Sequence, residues 1–116
     1  MKLFTYGTLR KNKEYHNILS SKNASFVSNG ITIKEYYMDT IKDGYGIEMF
    51  PYLLENSDSL YVSNINGEIY EVDTKTINAV DMFEDGYYRK LIDINSEFGI
   101  IKCWCYFLNK KVWNKI

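Results

Sequence analysis

Three stretches of the chain combine residue types that can hold a small acid or amide and move a proton on it. The first is Tyr6-Gly7-Thr8-Leu9-Arg10. A glycine at a strand end lets the backbone turn sharply and lets a ligand approach the main chain closely. Successive N–H groups in such a turn can form a nest for a carboxylate or a developing oxyanion. The second stretch is Asp81-Met82-Phe83-Glu84-Asp85-Gly86-Tyr87-Tyr88-Arg89. It reads as a helix C-terminus running into a strand, so Glu84 and Asp85 face the negative end of the helix dipole. That position disfavours the ionised form, and a dry site would raise the pKa further, toward the range useful for proton transfer. The third is Gly44-Tyr45-Gly46 followed by Met49-Phe50-Pro51-Tyr52, where glycines and a proline surround aromatics that can shape a pocket rim. Each stretch also has a plainer reading: a strand-ending glycine, a solvated acidic helix end capped by Gly86 and partly offset by Arg89, and a packed surface loop.

Other chemistries have weaker footing. His16 is the sole histidine and the cysteines are Cys103 and Cys105, two apart in a strand pattern, so a metal site lacks ligands. Same-strand neighbours seldom form a relaxed disulfide, and two reduced core thiols are expected. A Ser–His or Cys–His nucleophile system could use only His16. The net charge of −1 and the two arginines, Arg10 and Arg89, supply no footprint for nucleic acid. No apolar run approaches a membrane span, and Met1-Lys2-Leu3-Phe4 reaches a glycine before a signal-peptide core can form. A cytoplasmic protein is expected.

The elements that must position these residues can be read from pattern. At 116 residues, 46% hydrophobic and 16% aromatic, the chain suits one domain with a filled core. Strands are predicted over Lys2–Tyr6, Ala24–Val27, Ile31–Tyr37, Leu60–Ser63, Gly67–Val72, Tyr88–Ile94 and Ile100–Leu108. Asn29-Gly30 reads as a turn between two of them, Asn64-Ile65-Asn66 as a hairpin loop, and the segment 39–46 as a loop. Pro51 demotes 47–54 to an irregular or edge segment. Helices are predicted over Lys13–Ser20 and, capped by Asp73 or Thr74, over Lys75–Phe83. The sum is an α+β domain of six or seven short strands and two helices on a curved sheet, which can close as a barrel.

Taken in order and spacing, the motifs resemble the γ-glutamyl cyclotransferase-like (AIG2-like) family, over nearly the whole chain. The resemblance is carried by Tyr6-Gly7-Thr8-Leu9 and by Gly67-Glu68-Ile69-Tyr70-Glu71-Val72-Asp73. It continues in the Asp-x-x-Glu of Asp81 to Glu84, in Tyr88-Arg89 and in Trp104-Cys105-Tyr106. The Asp-x-Phe-Glu form, with His16 after the first motif, is most similar to the γ-glutamylamine cyclotransferase branch. The sequence departs from a common family form in having Asp85 between Glu84 and Gly86. A second carboxylate there would raise the Glu84 pKa by like-charge repulsion. The segment from Tyr45 to Tyr52 also diverges, which leaves the substrate more open than the reaction type.

The resemblance implies a small mixed β-barrel flanked by short helices, with a cavity at the Tyr-Gly-Thr-Leu loop. It implies that Glu84 is the catalytic acid/base and that Tyr6, Gly7, Thr8, Leu9, Arg10, Tyr88 and Tyr106 bind substrate. The reaction it implies releases an amine or amino acid from a γ-glutamyl amide and closes the glutamyl part to 5-oxoproline. Because the substrate carries its own nucleophile, no metal or cofactor is required. The expected partner is the small-molecule γ-glutamyl substrate, with neither nucleic acid nor membrane, on a monomer or weak dimer. The alternative is a non-catalytic module that binds or sequesters a small anionic or amino-acid-like molecule in the same nest. The apolar Val112, Trp113 and Ile116 of the last stretch are expected to pack on their own domain.

Overall fold

The computed structural model describes residues 1–6 and 24–111. Seven strands and one helix lie among them, in the order β1 (Lys2–Tyr6), β2 (Ala24–Thr32), β3 (Tyr37–Lys42), β4 (Glu48–Leu54), β5 (Asn66–Val72), α1 (Thr74–Phe83), β6 (Tyr87–Ser96) and β7 (Gly99–Leu108). The predicted helix over 13–20 and the residues 112–116 fall outside the described residues. Seven strands fall within the six or seven expected, though not at all the expected positions, and they divide five and two. Strands β1, β5, β2, β6 and β7 close a barrel in that order, and β3 and β4 form a separate two-stranded sheet. Every barrel pairing is antiparallel except the closure, where β1 runs parallel to β7 with Leu3 opposite Trp104.

Several local expectations are corrected. Ala24 to Thr32 is one strand, bulged between Phe26 and Ser28, and Asn29-Gly30 runs through it rather than turning. The reason is packing. A Cβ at Gly30 would meet Ile94 Cγ2 at 2.6 Å and Ile69 Cδ1 at 3.2 Å, so glycine is there for close approach between strands. Likewise no strand forms over 60–63. Only Ser63 bridges to Tyr36, and β5 pairs with β1 and β2 instead of folding back as a hairpin. The expected loop over 39–46 is also shorter, since β3 extends to Lys42. Asp43 then accepts the amides of Tyr45 and Ile47, and Gly46 takes a positive φ of 79°. Pro51 is tolerated in β4, opposite Thr40, because that strand belongs to a two-stranded sheet with a free edge.

The core fills the barrel and the space under α1. Leu3, Ile69, Ile77, Val80, Ile94 and Phe107 are fully buried within it. Cys103 and Cys105 lie there too, as free thiols. A smaller cluster of Tyr52, Leu54 and Leu108 packs the two-stranded sheet against the end of β7, with Tyr87 alongside. No helix among the described residues is long and apolar enough to cross a membrane.

Candidate active site

Glu84 is the place where the chain breaks the rule that carboxylates stay in water. Ile77, Val80 and Glu84 fall at helical spacing on one stripe, and all three are buried. Asp73 starts the helix by accepting the Thr76 amide at 2.7 Å. Glu84 ends it as the C-cap, with φ −88° and ψ 48° and its amide donating to the Val80 carbonyl at 2.8 Å. The two positions that follow form a turn, completed by Gly86 at φ 86°.

The Glu84 side chain is 6% exposed, and Oε1 has no hydrogen-bond partner among the described residues. Burial pushes its pKa from 4.5 up to about 7. The cause is therefore dryness. Asp85, expected to raise it by repulsion, projects its side chain into solvent. Nor does Arg89 offset Glu84, as a solvated helix end would have it. Arg89 Nε donates to Asp81 at 3.0 and 3.2 Å, and its guanidinium lies 4.3 Å from the Trp104 ring centroid.

Two tyrosines feel the Glu84 charge. Burial first, and then Glu84, raises the Tyr87 phenol. Tyr106 is raised by burial, then by its bond to Asp81, with a smaller contribution from Glu84. Tyr87 donates to the Pro51 carbonyl at 2.9 Å, which ties the two-stranded sheet to the start of β6 beside the Glu84 turn. Tyr106 donates to Asp81 Oδ1 at 2.5 Å. Tyr6 donates to the Tyr106 carbonyl at 2.7 Å, fixing the end of β1 just before Gly7.

The structure thus brings together Glu84, Tyr106 and, through Tyr106, Tyr6. Tyr88 lies elsewhere. Consecutive strand residues point to opposite faces, and Tyr88 shares its face with Phe107, its cross-strand partner. Its hydroxyl donates to Glu55 at 2.6 Å, and Glu55 also pairs with Lys90. Tyr87, absent from the expected binding residues, is the one of the pair that lies near Glu84. Strand alternation, counted from Arg89 and Tyr106, was the available signal. Gly7, Thr8, Leu9, Arg10 and His16 lie outside the described residues. Of the expected pocket rim, Tyr45 is solvent-exposed and Tyr52 is buried in the small cluster.

Two clefts open away from Glu84 and meet at Glu55. One of about 380 Å³ includes Lys34, Tyr37, Glu55 and Asp58, and one of about 250 Å³ includes Tyr88, Leu108 and Lys110. Among the described residues no group of three or more His, Cys, Asp or Glu side chains could hold a metal ion.

The described residues thus define a small closed mixed barrel with one helix, at whose end a carboxyl, Glu84, lies buried. The model for "Gamma-glutamyl cyclotransferase, AIG2-like" matches residues 3–115. The chain belongs to the AIG2-like γ-glutamyl cyclotransferase family. A protein of Methanocaldococcus jannaschii, provisionally named a gamma-glutamylcyclotransferase, is 37% identical over 109 residues, spanning 90% of this chain and 82% of the relative. Gamma-glutamylaminecyclotransferase C of Danio rerio is 35% identical over 111 residues, spanning 86% of this chain and 69% of the relative. The crystal structure of an aig2-like protein from Mus musculus superposes with a TM-score of 0.71 at 26% identity, over 91% of this chain and 75% of that one. Coverage differs among relatives: the chain spans 35% of the Bacillus subtilis YkqA structure, at a TM-score of 0.67 and 28% identity.

Proposed function

We propose that the protein cleaves a γ-glutamyl amide by cyclisation, releasing an amine or amino acid and forming 5-oxoproline, with Glu84 as the acid/base. The observation that carries this reading is the Glu84 carboxyl, buried, with one oxygen lacking a partner among the described residues and its pKa raised to about 7 by burial. A group poised there can take a proton and return it near neutral pH.

The chemistry needs little else. The substrate's α-ammonium gives a proton to Glu84, and the freed amine attacks the γ-carbonyl carbon to form the five-membered ring. The bond from that carbon to the leaving nitrogen then breaks as Glu84 returns the proton to that nitrogen, and the second proton shed by the ring nitrogen passes to the released amine, which departs as its ammonium. Intramolecular attack in a held geometry can gain about 7–11 kcal/mol. A well-placed acid/base adds about 10²–10⁴-fold. In this reading the backbone N–H groups of Gly7, Thr8 and Leu9 receive the glutamyl end and the developing oxyanion, each well-aimed donor being worth about 3–4 kcal/mol. Tyr6 and Arg10 are the further substrate-binding residues of this reading. A γ-glutamylamine is the preferred substrate class, supported by the Asp-x-Phe-Glu sequence and the likeness to the Danio rerio protein. The reaction needs no cofactor, and the protein is expected in the cytoplasm as a monomer or weak dimer.

The test is 5-oxoproline release from a panel of γ-glutamyl amides, with Glu84→Gln in parallel. Turnover in the wild type, lost by about 10²-fold or more in the variant, is expected. Near-normal turnover in Glu84→Gln would remove the acid/base assignment. A folded wild type inactive on every amide would favour the sequestering module.

A further inference from the structure

Tyr106 links the two halves of the site described above. Its hydroxyl grips Asp81, one turn before Glu84 on α1, at 2.5 Å. Its main-chain carbonyl accepts the Tyr6 hydroxyl at 2.7 Å, at the end of the strand that leads into Gly7. Asp81 is clamped from a second strand as well, since Arg89 Nε donates to both of its oxygens. Arg89 and Tyr106 are cross-strand partners, so they reach α1 from one sheet face. Arg89 is itself held over Trp104, the cross-strand partner of Leu91.

The clamp matters because of where Glu84 sits. It lies past the last helical residue, at a C-cap, where helices fray and where intrahelical bonds run out. Its buried Oε1 has no hydrogen bond among the described residues to fix it. The next turn back, held at Asp81 from both β6 and β7, is what keeps the helix end against the sheet. Tyr106 is 2% exposed, and its one hydroxyl hydrogen is committed to Asp81.

We propose that Tyr106 is a positioning residue: through Asp81 and through its carbonyl bond to Tyr6, it holds Glu84 and the Tyr6 end of β1 as one unit, without touching substrate. This rests on the acid/base reading of Glu84 and departs from the substrate-binding role that the resemblance implied for Tyr106. Among the described residues, the groups that face the helix end are Tyr87 and Arg89 on β6 and Tyr106 on β7, together with the helix's own Asp81.

The experiment uses the full chain as wild type, Tyr106→Phe, Asp81→Asn and the double variant. Phenylalanine keeps the ring and the carbonyl and removes the donor. The first readout is the titration of the Glu84 side-chain carbon by NMR, which needs no substrate. In Tyr106→Phe the midpoint is expected to fall toward the ordinary carboxylate range, as the loosened helix end admits water. The second readout is 5-oxoproline release. A loss of about 10-fold in kcat with KM nearly unchanged is expected, below the roughly 10²-fold that a 1 Å misplacement can cost. The double variant should lose no more than the worse single variant, because both act through one bond. A folded Tyr106→Phe with the Glu84 midpoint unmoved, a defect confined to KM, or additive losses would each overturn the proposal. If Tyr106→Phe does not fold, the Glu84 midpoint in Asp81→Asn decides in the same way. A wild type without turnover would sink the acid/base reading, while the titration would still decide the positioning role.

Discussion

At the scale of single residues, Glu84 trades stability for a usable pKa. The protonated carboxyl fits a dry site and the carboxylate does not. A group whose folded pKa is raised contributes its stability fully below the unfolded value, and loses it as pH rises through the folded one. For Glu84 the window runs from 4.5 to about 7. A shift of that size corresponds to roughly 3 kcal/mol. Glu84→Gln is neutral at every pH, so it should match the wild type in urea unfolding at about pH 4 and be more stable at about pH 8. Equal stabilities at both would mean that Glu84 is ionised without penalty. The same group sets an expectation for kinetics: kcat/KM on an active amide should decline on the acid side below about pH 7, as the base is protonated. An acid limb near the ordinary carboxylate value would place the titrating base elsewhere.

At the scale of elements, the helix boundary was legible and the strand pairing only partly so. Asp73 followed by an apolar stripe at Ile77 and Val80 marks α1 by local rules, and the structure places the cap and the stripe there. Removing the cap with Asp73→Ala should cost about 1 kcal/mol, read as a lower urea midpoint at unchanged slope. Glycines were harder to interpret, because close approach and turning use the same residue. Gly67 lies opposite Tyr6, and a Cβ there would clash with the Thr5 carbonyl oxygen and with the Phe4 ring, 2.6 Å away at Cζ. A carbonyl in a paired strand cannot move aside, whereas the Ile94 methyl near Gly30 can rotate. Gly67→Ala is therefore expected to cost more than Gly30→Ala, with overpacking penalties typically about 1–3 kcal/mol. Thermal unfolding of the two variants side by side checks the order.

At the scale of the whole molecule, barrel closure depends on a pairing between segments far apart in the chain. The Leu3–Trp104 register joins the first strand to the last, and Leu3 is fully buried. Leu3→Ala should cost about 2–5 kcal/mol by cavity formation. Because β1 also leads into Gly7, the loss is expected to lower 5-oxoproline release even at temperatures where the variant stays folded. Circular dichroism and turnover measured on one preparation would separate the two effects. A fully active and equally stable Leu3→Ala would show that the closure is dispensable.

The sequence by itself determined the family motifs, strands β1, β5, β6 and β7, the capped helix and a carboxylate at its end, because these rest on local chemistry: caps, periodicity and the residue types at a helix terminus. Tertiary structure decided the rest. Which glycines turn and which let strands touch depends on neighbours that sequence spacing does not reveal, as Gly30 against Ile94 shows. The raised pKa of Glu84 comes from burial rather than from Asp85, and burial is a property of the packed surroundings. Tyr87 and Tyr106 stand by Glu84 while Tyr88 turns to Glu55, since one step along a strand reverses the face on which a side chain lies.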